Sequence, residues 1–267
     1  MELRSEALRV LCLADPTTKA SAARALSVAW RLDATAVLEP TQPLPGRPAR
    51  PVLVAPKDVP QRSLSTPAGR AALLHAIAHI EFNAINLALD AVWRFAGMPA
   101  AYYSDWLRVA QEEALHFMLL REHLNSLGHD YGDFTAHDGL WTMVERTRHD
   151  ITARMALVPR TLEARGLDAT PPLQAKLARA GDARAVAILD VILRDEIGHV
   201  AVGNHWYHFL CDAQGLDAQA HYAVLTQRHG APRLRAPFNL PARRQAGFTA
   251  EELAQLQQAG TGLAVPS

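Results

Sequence analysis

Apolar positions recur at helical spacing through most of the chain, and the strict alternation of a half-buried strand is scarce. Thr66-Pro67, a hydroxyl cap followed by proline in the first turn, opens a run from Ala68 to Phe95 that predicts a long helix closed by Gly97 and Pro99. Nearly 30 residues at 1.5 Å rise make it about 45 Å long, the length of a bundle helix. A second long helix is predicted from about Ala100 to Leu127, ended by Gly128, and a third from about Asp138 to Arg165, stopped at Gly166. After a loop from Leu167 to Pro172, a fourth begins near Leu173, breaks at Gly181-Asp182 and continues to about Asp212. Four long helices predict an all-α fold, an up-and-down or once-crossed bundle over residues 65–214.

The flanks are helical too. Residues 1–64 hold a short amphipathic helix around Ala7 to Leu11, then a helix capped by Asp15 with Pro16 at its first position and running to about Leu32. From Glu39 to Ser65, seven prolines (Pro40, Pro43, Pro45, Pro48, Pro51, Pro56, Pro60) replace helix with an extended linker laid over the bundle. Residues 215–267 offer a helix from Ala218 to Arg228, an irregular stretch PRLRAPFNLPARRQAG, and a last helix opened by the capping box of Thr249 and Glu252.

Composition narrows the function classes. Formal net charge is zero, so nothing global favours nucleic acid or an anionic membrane surface. Cys12 and Cys211 lack metal or redox spacing and read as small apolar residues of a reduced compartment. Charges at Glu2, Arg4, Glu6 and Arg9 interrupt any secretory h-region, and no unbroken apolar run approaches the roughly 20 residues of a membrane span. The expectation is a cytoplasmic protein without a membrane partner.

The chemistry lies in acids set within apolar helix faces. Glu81 shares a face with Leu74, Ile77, Ala78, Ala84, Ile85 and Ala88. Glu113 and His116 share one with Trp106, Val109, Ala110, Phe117 and Leu120. Glu163 lines up with Ala156 and Pro159, while Glu196 and His199 lie with Leu189, Ile192, Leu193, Val200 and Gly203. In a chain with 12 histidines, chance predicts about half a Glu-x-x-His match. Two occur, on the second and fourth long helices, and the lone glutamates fall on the first and third. Four carboxylates converging in a core would cost several kcal/mol each if left ionised there. Two divalent metals neutralise them, two imidazoles complete the set, and such a donor set suits iron or manganese. The order Glu, Glu-x-x-His, Glu, Glu-x-x-His is that of di-metal ferritin-like bundles. The competing reading makes Glu113 and Glu196 solvated and the histidines satisfied core residues.

The stretches HIEFNAINLALDAVWRF, EEALHFMLLREHLNSLG, RMALVPRTLEARGLD and RDEIGHVAVGNHWYHF resemble a bacterial ferritin-like family of unknown function (domain of unknown function family, number 455). The later APFNLPARRQAGFTAEEL looks like that family's tail. The resemblance implies a ferritin-like four-helix bundle and a di-iron site, but no reaction. By it, Glu81 and His116 would be end ligands of one iron, Glu163 and His199 of the other, and Glu113 and Glu196 would bridge. Carried over from the resembling di-iron oxygenases, Asp195 would orient His116 and Glu112 would orient His199. A more distant likeness is to the tRNA hydroxylase that acts on isopentenyl-adenosine, a fold-level analogy. On that basis dioxygen, a small organic substrate or modified nucleotide and an electron donor are the expected partners, in a monomer or small homo-oligomer.

Other candidates carry less. His75 and His79 have a zinc-compatible spacing but no carboxylate beside them, and His205 and His208 extend the fourth helix past the site. Trp106 and Trp206 stand two turns from Glu113 and His199, as core or cavity lining. Pro159, one turn before Glu163, predicts a kink that opens the bundle beside the second metal. Arg233, Arg235, Arg243 and Arg244 form a basic cluster, either pinned to acidic surface or facing a phosphate. The functions weighed are a di-iron oxidase or oxygenase, a ferroxidase or iron-storage protein, and a metal-stabilised binding module. Storage cages assemble from compact bundles, so the long terminal extensions favour the first.

Overall fold

The computed structural model describes residues 1–260; residues 261–267 of the expected C-terminal region lie outside the described part. Among the described residues the only extended pairings are isolated bridges, Glu2 with Arg31 and Leu53 with Ala136, so the chain is all-α. It divides into two compact units: Met1–Trp141 with Lys176–Ile188, and Thr142–Ala175 with the chain from Leu189 onward.

In the first unit α1 (Leu3–Leu11) packs on α3 (Pro67–Arg94), and α2 (Pro16–Ala25) on α4 (Ala100–Ser126); α3 and α4 are its main packed pair. The Thr66 hydroxyl accepts the Gly69 N–H at 3.1 Å and Asp15 accepts the Thr18 N–H at 2.7 Å, the two caps the sequence predicts. By length and composition α3 could cross a membrane, with a mean hydropathy of 1.3, but 78% of that window is buried within the protein, as in a core helix.

The helix α2 ends at Ala25 rather than near Leu32: Leu26 is already extended (ψ 148°), and its carbonyl accepts from Gln111 Nε2 at 2.7 Å. The buried Arg4 guanidinium donates to the carbonyls of Asp33, Ala34 and Ala36 (2.9, 3.2 and 2.7 Å) and to Trp93 O at the end of α3 (2.7 Å). Lys19, equally buried, donates to Gly46 O (2.7 Å) and Asn86 Oδ1 (2.6 Å) and so fastens the proline-rich segment to α3. Glycine is required at position 46, since a Cβ there would lie 2.1 Å from Cys12 O.

The predicted third helix is instead α5 (Gly139–Arg146), α6 (Ile151–Leu157), a π-helical turn (Val158–Glu163) and α7 (Ala164–Arg179). Asp150 restarts the helix by accepting the Ala153 N–H at 2.9 Å, and the buried Arg154 takes Val144 O at the end of α5 (2.6 Å). Gly166 does not stop α7, and Leu167 to Pro172 is helical rather than a loop. Pro171 supplies no N–H for Leu167 O, but the Asn239 side-chain amide takes that carbonyl at 3.1 Å. At Gly181, φ is +76°, and Asp182 caps α8 (Ala183–Gln214) through the Ala185 N–H, so the predicted break is real. Then come α9 (Ala218–Arg228), α10 (Leu240–Gln245) within the stretch expected to be irregular, and α11 (Ala250–Gly260). Asn239 and Pro241 form the start of α10. The predicted capping box of α11 closes in both directions, Thr249 N–H to Glu252 at 2.9 Å and Glu252 N–H to Thr249 at 3.2 Å.

Candidate metal centre

In the first unit, α3 brings Glu81 and α4 brings Glu113 and His116 to one buried point. Their faces are built from the predicted apolar residues, including Leu74, Ile85, Val109 and Phe117, all fully buried. Glu81 is 4% exposed, and Glu113 and His116 are 0% exposed. His116 Nδ1 lies 3.1 Å from Glu81 Oε2 and 3.4 Å from Glu113 Oε2. Ligand atoms of these three residues fall within 4.8 Å of one another, a buried cluster that can hold a metal ion. Burial, and then the charge of Glu113, push the Glu81 carboxyl up to about 8, against the pull of His116. Burial opposes charge on His116, but the hydrogen bonds and charges of Glu113 and Glu81 outweigh it and raise the imidazole to about 11. Both shifts favour the protonated forms of Glu81 and His116 at pH 7, protons that a bound cation would displace.

In the second unit, α8 carries Glu196 (8% exposed) and His199 (0%), with His199 Nδ1 3.6 Å from Glu196 Oε1. The same atom types, at nearly the same separation, thus face each other within both Glu-x-x-His pairs. Glu196 Oε2 is buried without a hydrogen bond, a polar atom that needs a partner. Glu163 closes the π turn and is also buried, 8% exposed. Each Glu-x-x-His pair is therefore adjacent in space within its unit, and the competing reading of solvated glutamates fails on burial.

Glu112 and Asp195 lie beside the ligand candidates in sequence. Glu112 stands 3.9 Å from Arg108, and Asp195 pairs with Arg194 at 2.8 Å. His75 and His79 are structural. The Gly132 N–H donates to His75 Nε2 (2.9 Å), and His79 meets the Tyr131 hydroxyl (2.9 Å) and Asn83 (3.0 Å). Burial lowers both imidazoles to about 4 and keeps them neutral. Trp106 and Trp206 are core residues, 0% and 2% exposed, Cys12 is half-buried and Cys211 buried. Of the predicted basic cluster, Arg243 is fully buried against Asp168, with Nη2 to Oδ2 at 2.6 Å and Nε to Oδ1 at 3.0 Å, while Arg233, Arg235 and Arg244 are exposed.

Sequence reasoning misses Arg160 and its partner Glu252. Arg160 is one of several arginines near Pro159, and nothing in local spacing marks its pairing with a residue 92 positions away.

Residues 12–254 match the family described as "Protein of unknown function (DUF455)". A protein of Haemophilus influenzae described as "Uncharacterized protein" is similar to this chain, 59% identical over 213 residues that cover 77% of this chain and 74% of that one. No solved structure matches.

Proposed function

The chain belongs to the DUF455 family, and we propose that it is a di-metal carboxylate protein with a ferritin-like arrangement of its long helices. In this reading Glu81, Glu113 and His116 of the first unit and Glu163, Glu196 and His199 of the second would be the ligands of two iron ions. The observation that carries it is the pair of buried acid–imidazole sets with matching internal geometry, 3.4 Å in Glu113–His116 and 3.6 Å in Glu196–His199. The donor set fits the metal: carboxylate oxygens and imidazole nitrogens suit iron, and manganese as the alternative, and the bare Glu196 Oε2 needs a cation or donor.

Iron bound there would supply the electrons and Lewis acidity for reducing dioxygen on an organic substrate. The chain's own contribution is to hold and orient. Asp195 and Glu112 would fix the outer nitrogens of His116 and His199, setting the tautomers in which Nδ1 faces the carboxylates. The buried helix faces exclude bulk water, which would otherwise compete for the open ligand positions.

An oxidase or oxygenase is favoured over iron storage because the N-terminal extension is built into its unit. Arg4 and Lys19 bind it to α3 from fully buried positions, so it is part of the fold rather than an appendage to a cage subunit. Size-exclusion chromatography and dioxygen uptake of the iron-loaded chain test this. A monomer or small oligomer with about two irons per chain and reductant-dependent dioxygen consumption is expected. A hollow assembly taking up many irons per chain would replace the enzyme by a storage protein. A chain that folds fully but never takes metal would leave a binding module.

A further inference from the structure

Arg160 lies in the π turn, three residues before Glu163, and is only 4% exposed. Its guanidinium donates from Nη1 to Asn204 Oδ1 at 2.5 Å and from Nη2 to Glu252 Oε1 of α11. The rings of Tyr207, Tyr222 and Phe248 surround it, with centroids 5.2, 5.4 and 4.7 Å away. The other Glu252 oxygen closes the capping box, so a single carboxylate serves both the start of α11 and the π turn.

The neighbours of Arg160 are fixed as firmly. Thr161 Oγ1 donates to Ala156 O (2.7 Å) and shares a hydrogen bond with the Tyr222 hydroxyl of α9 (2.8 Å). Pro159 lies against Gly203 of α8, where an added Cβ would stand 2.5 Å from the proline Cβ and Cγ. Three successive residues of the turn are thus held by three other helices, and Glu163 comes two residues later.

A π turn is an uncommon conformation that persists where its surroundings over-determine it. It inserts one extra residue into the helix, which rotates the residues beyond it by about 100° about the axis relative to an unbroken α-helix. The direction of the Glu163 carboxylate relative to α6 therefore depends on the turn being kept. We infer that Arg160, gripped by Glu252, is a positioning residue for Glu163, and that the C-terminal segment completes the metal centre by holding the turn. This rests on the reading of Glu163 as a ligand.

The test is an anaerobic Mn²⁺ titration of the chelator-stripped full chain as wild type, Glu252→Gln and Arg160→Met, with circular dichroism recorded on each. In the wild type two ions bind. In Glu252→Gln one site should weaken by about 10- to 100-fold while the other keeps its affinity and helical content is unchanged. Asp168→Asn, which loosens the same segment through Arg243, should lower thermal stability and leave both affinities as they were. If Arg160→Met fails to fold, Glu252→Gln decides. Two undisturbed sites in Glu252→Gln, equal weakening of both, or the same selective loss in Asp168→Asn would each overturn the positioning role. A folded wild type that takes up no metal would instead overturn the di-metal reading, and this inference with it.

Discussion

Replacing Glu113 by leucine should make the metal-free protein more stable while abolishing metal binding by the first unit. Glu113 is fully buried, and its charge is second only to burial in lifting the Glu81 carboxyl from 4.5 to about 8. Because the folded value lies above the unfolded one, the folded state binds more protons between pH 4.5 and about 8, and stability falls as pH rises through that window. Keeping Glu81 protonated at pH 7 costs about 3 kcal/mol, at 1.36 kcal/mol per unit. Glu113 raises Glu81 both by its charge and by a side-chain hydrogen bond, so removing it recovers part of that cost, on the order of 1–2 kcal/mol. The weaker hold on the His116 imidazolium offsets part of this, although His116 keeps Glu81 at 3.1 Å. The net expectation is a gain of about 1 kcal/mol at pH 7, with a shallower loss toward pH 8. Urea unfolding in excess chelator at several pH values measures both. A variant less stable than wild type by about 2 kcal/mol or more, or with a steeper pH dependence, would show that Glu113 stabilises the metal-free fold.

Metal uptake by the first-unit set should release about two protons at pH 7, one from Glu81 and one from His116, so affinity should rise with pH. Calorimetry in buffers of different ionisation enthalpy reads the number, and binding without proton release would contradict the assignment. Asp168→Ala leaves the buried Arg243 guanidinium without its bidentate partner and should cost about 3–5 kcal/mol in urea unfolding, whereas Asp168→Leu with Arg243→Met should come close to neutral. Equal losses in the single and double variants would show that packing, not charge, holds the segment. Gly203→Ala should cost about 1–3 kcal/mol by driving a methyl into Pro159, and an unchanged melting temperature would show that the contact is slack.

Much of this is legible in the sequence because it is written locally. Caps at Asp15, Thr66 and Thr249, the break at Gly181-Asp182 and the bounds of α9 all depend on residues within one turn of each other, and the structure has each of them. The burial of Glu81, Glu113 and Glu196 is likewise readable from apolar residues at three and four positions' distance. Long-range satisfaction decides the rest. Pro171 and Pro172 predict a loop, yet α7 runs through them because Asn239 takes a carbonyl freed by the missing N–H. Helix α2 stops early where Leu26 turns its carbonyl to Gln111, 85 positions away, and Arg160 in the π turn is paired with Glu252, 92 positions away. None of these partners has a local signature.

Anaerobic titration of the chelator-stripped full chain with ferrous ion, followed by absorbance and by elemental analysis of the washed product, decides whether the buried acids and imidazoles hold two metal ions. About two irons per chain are predicted for the wild type, with loss of tight binding in Glu113→Leu and in Glu196→Leu. Wild-type protein that folds but retains no iron or manganese, or both variants retaining a full complement, would contradict the claim.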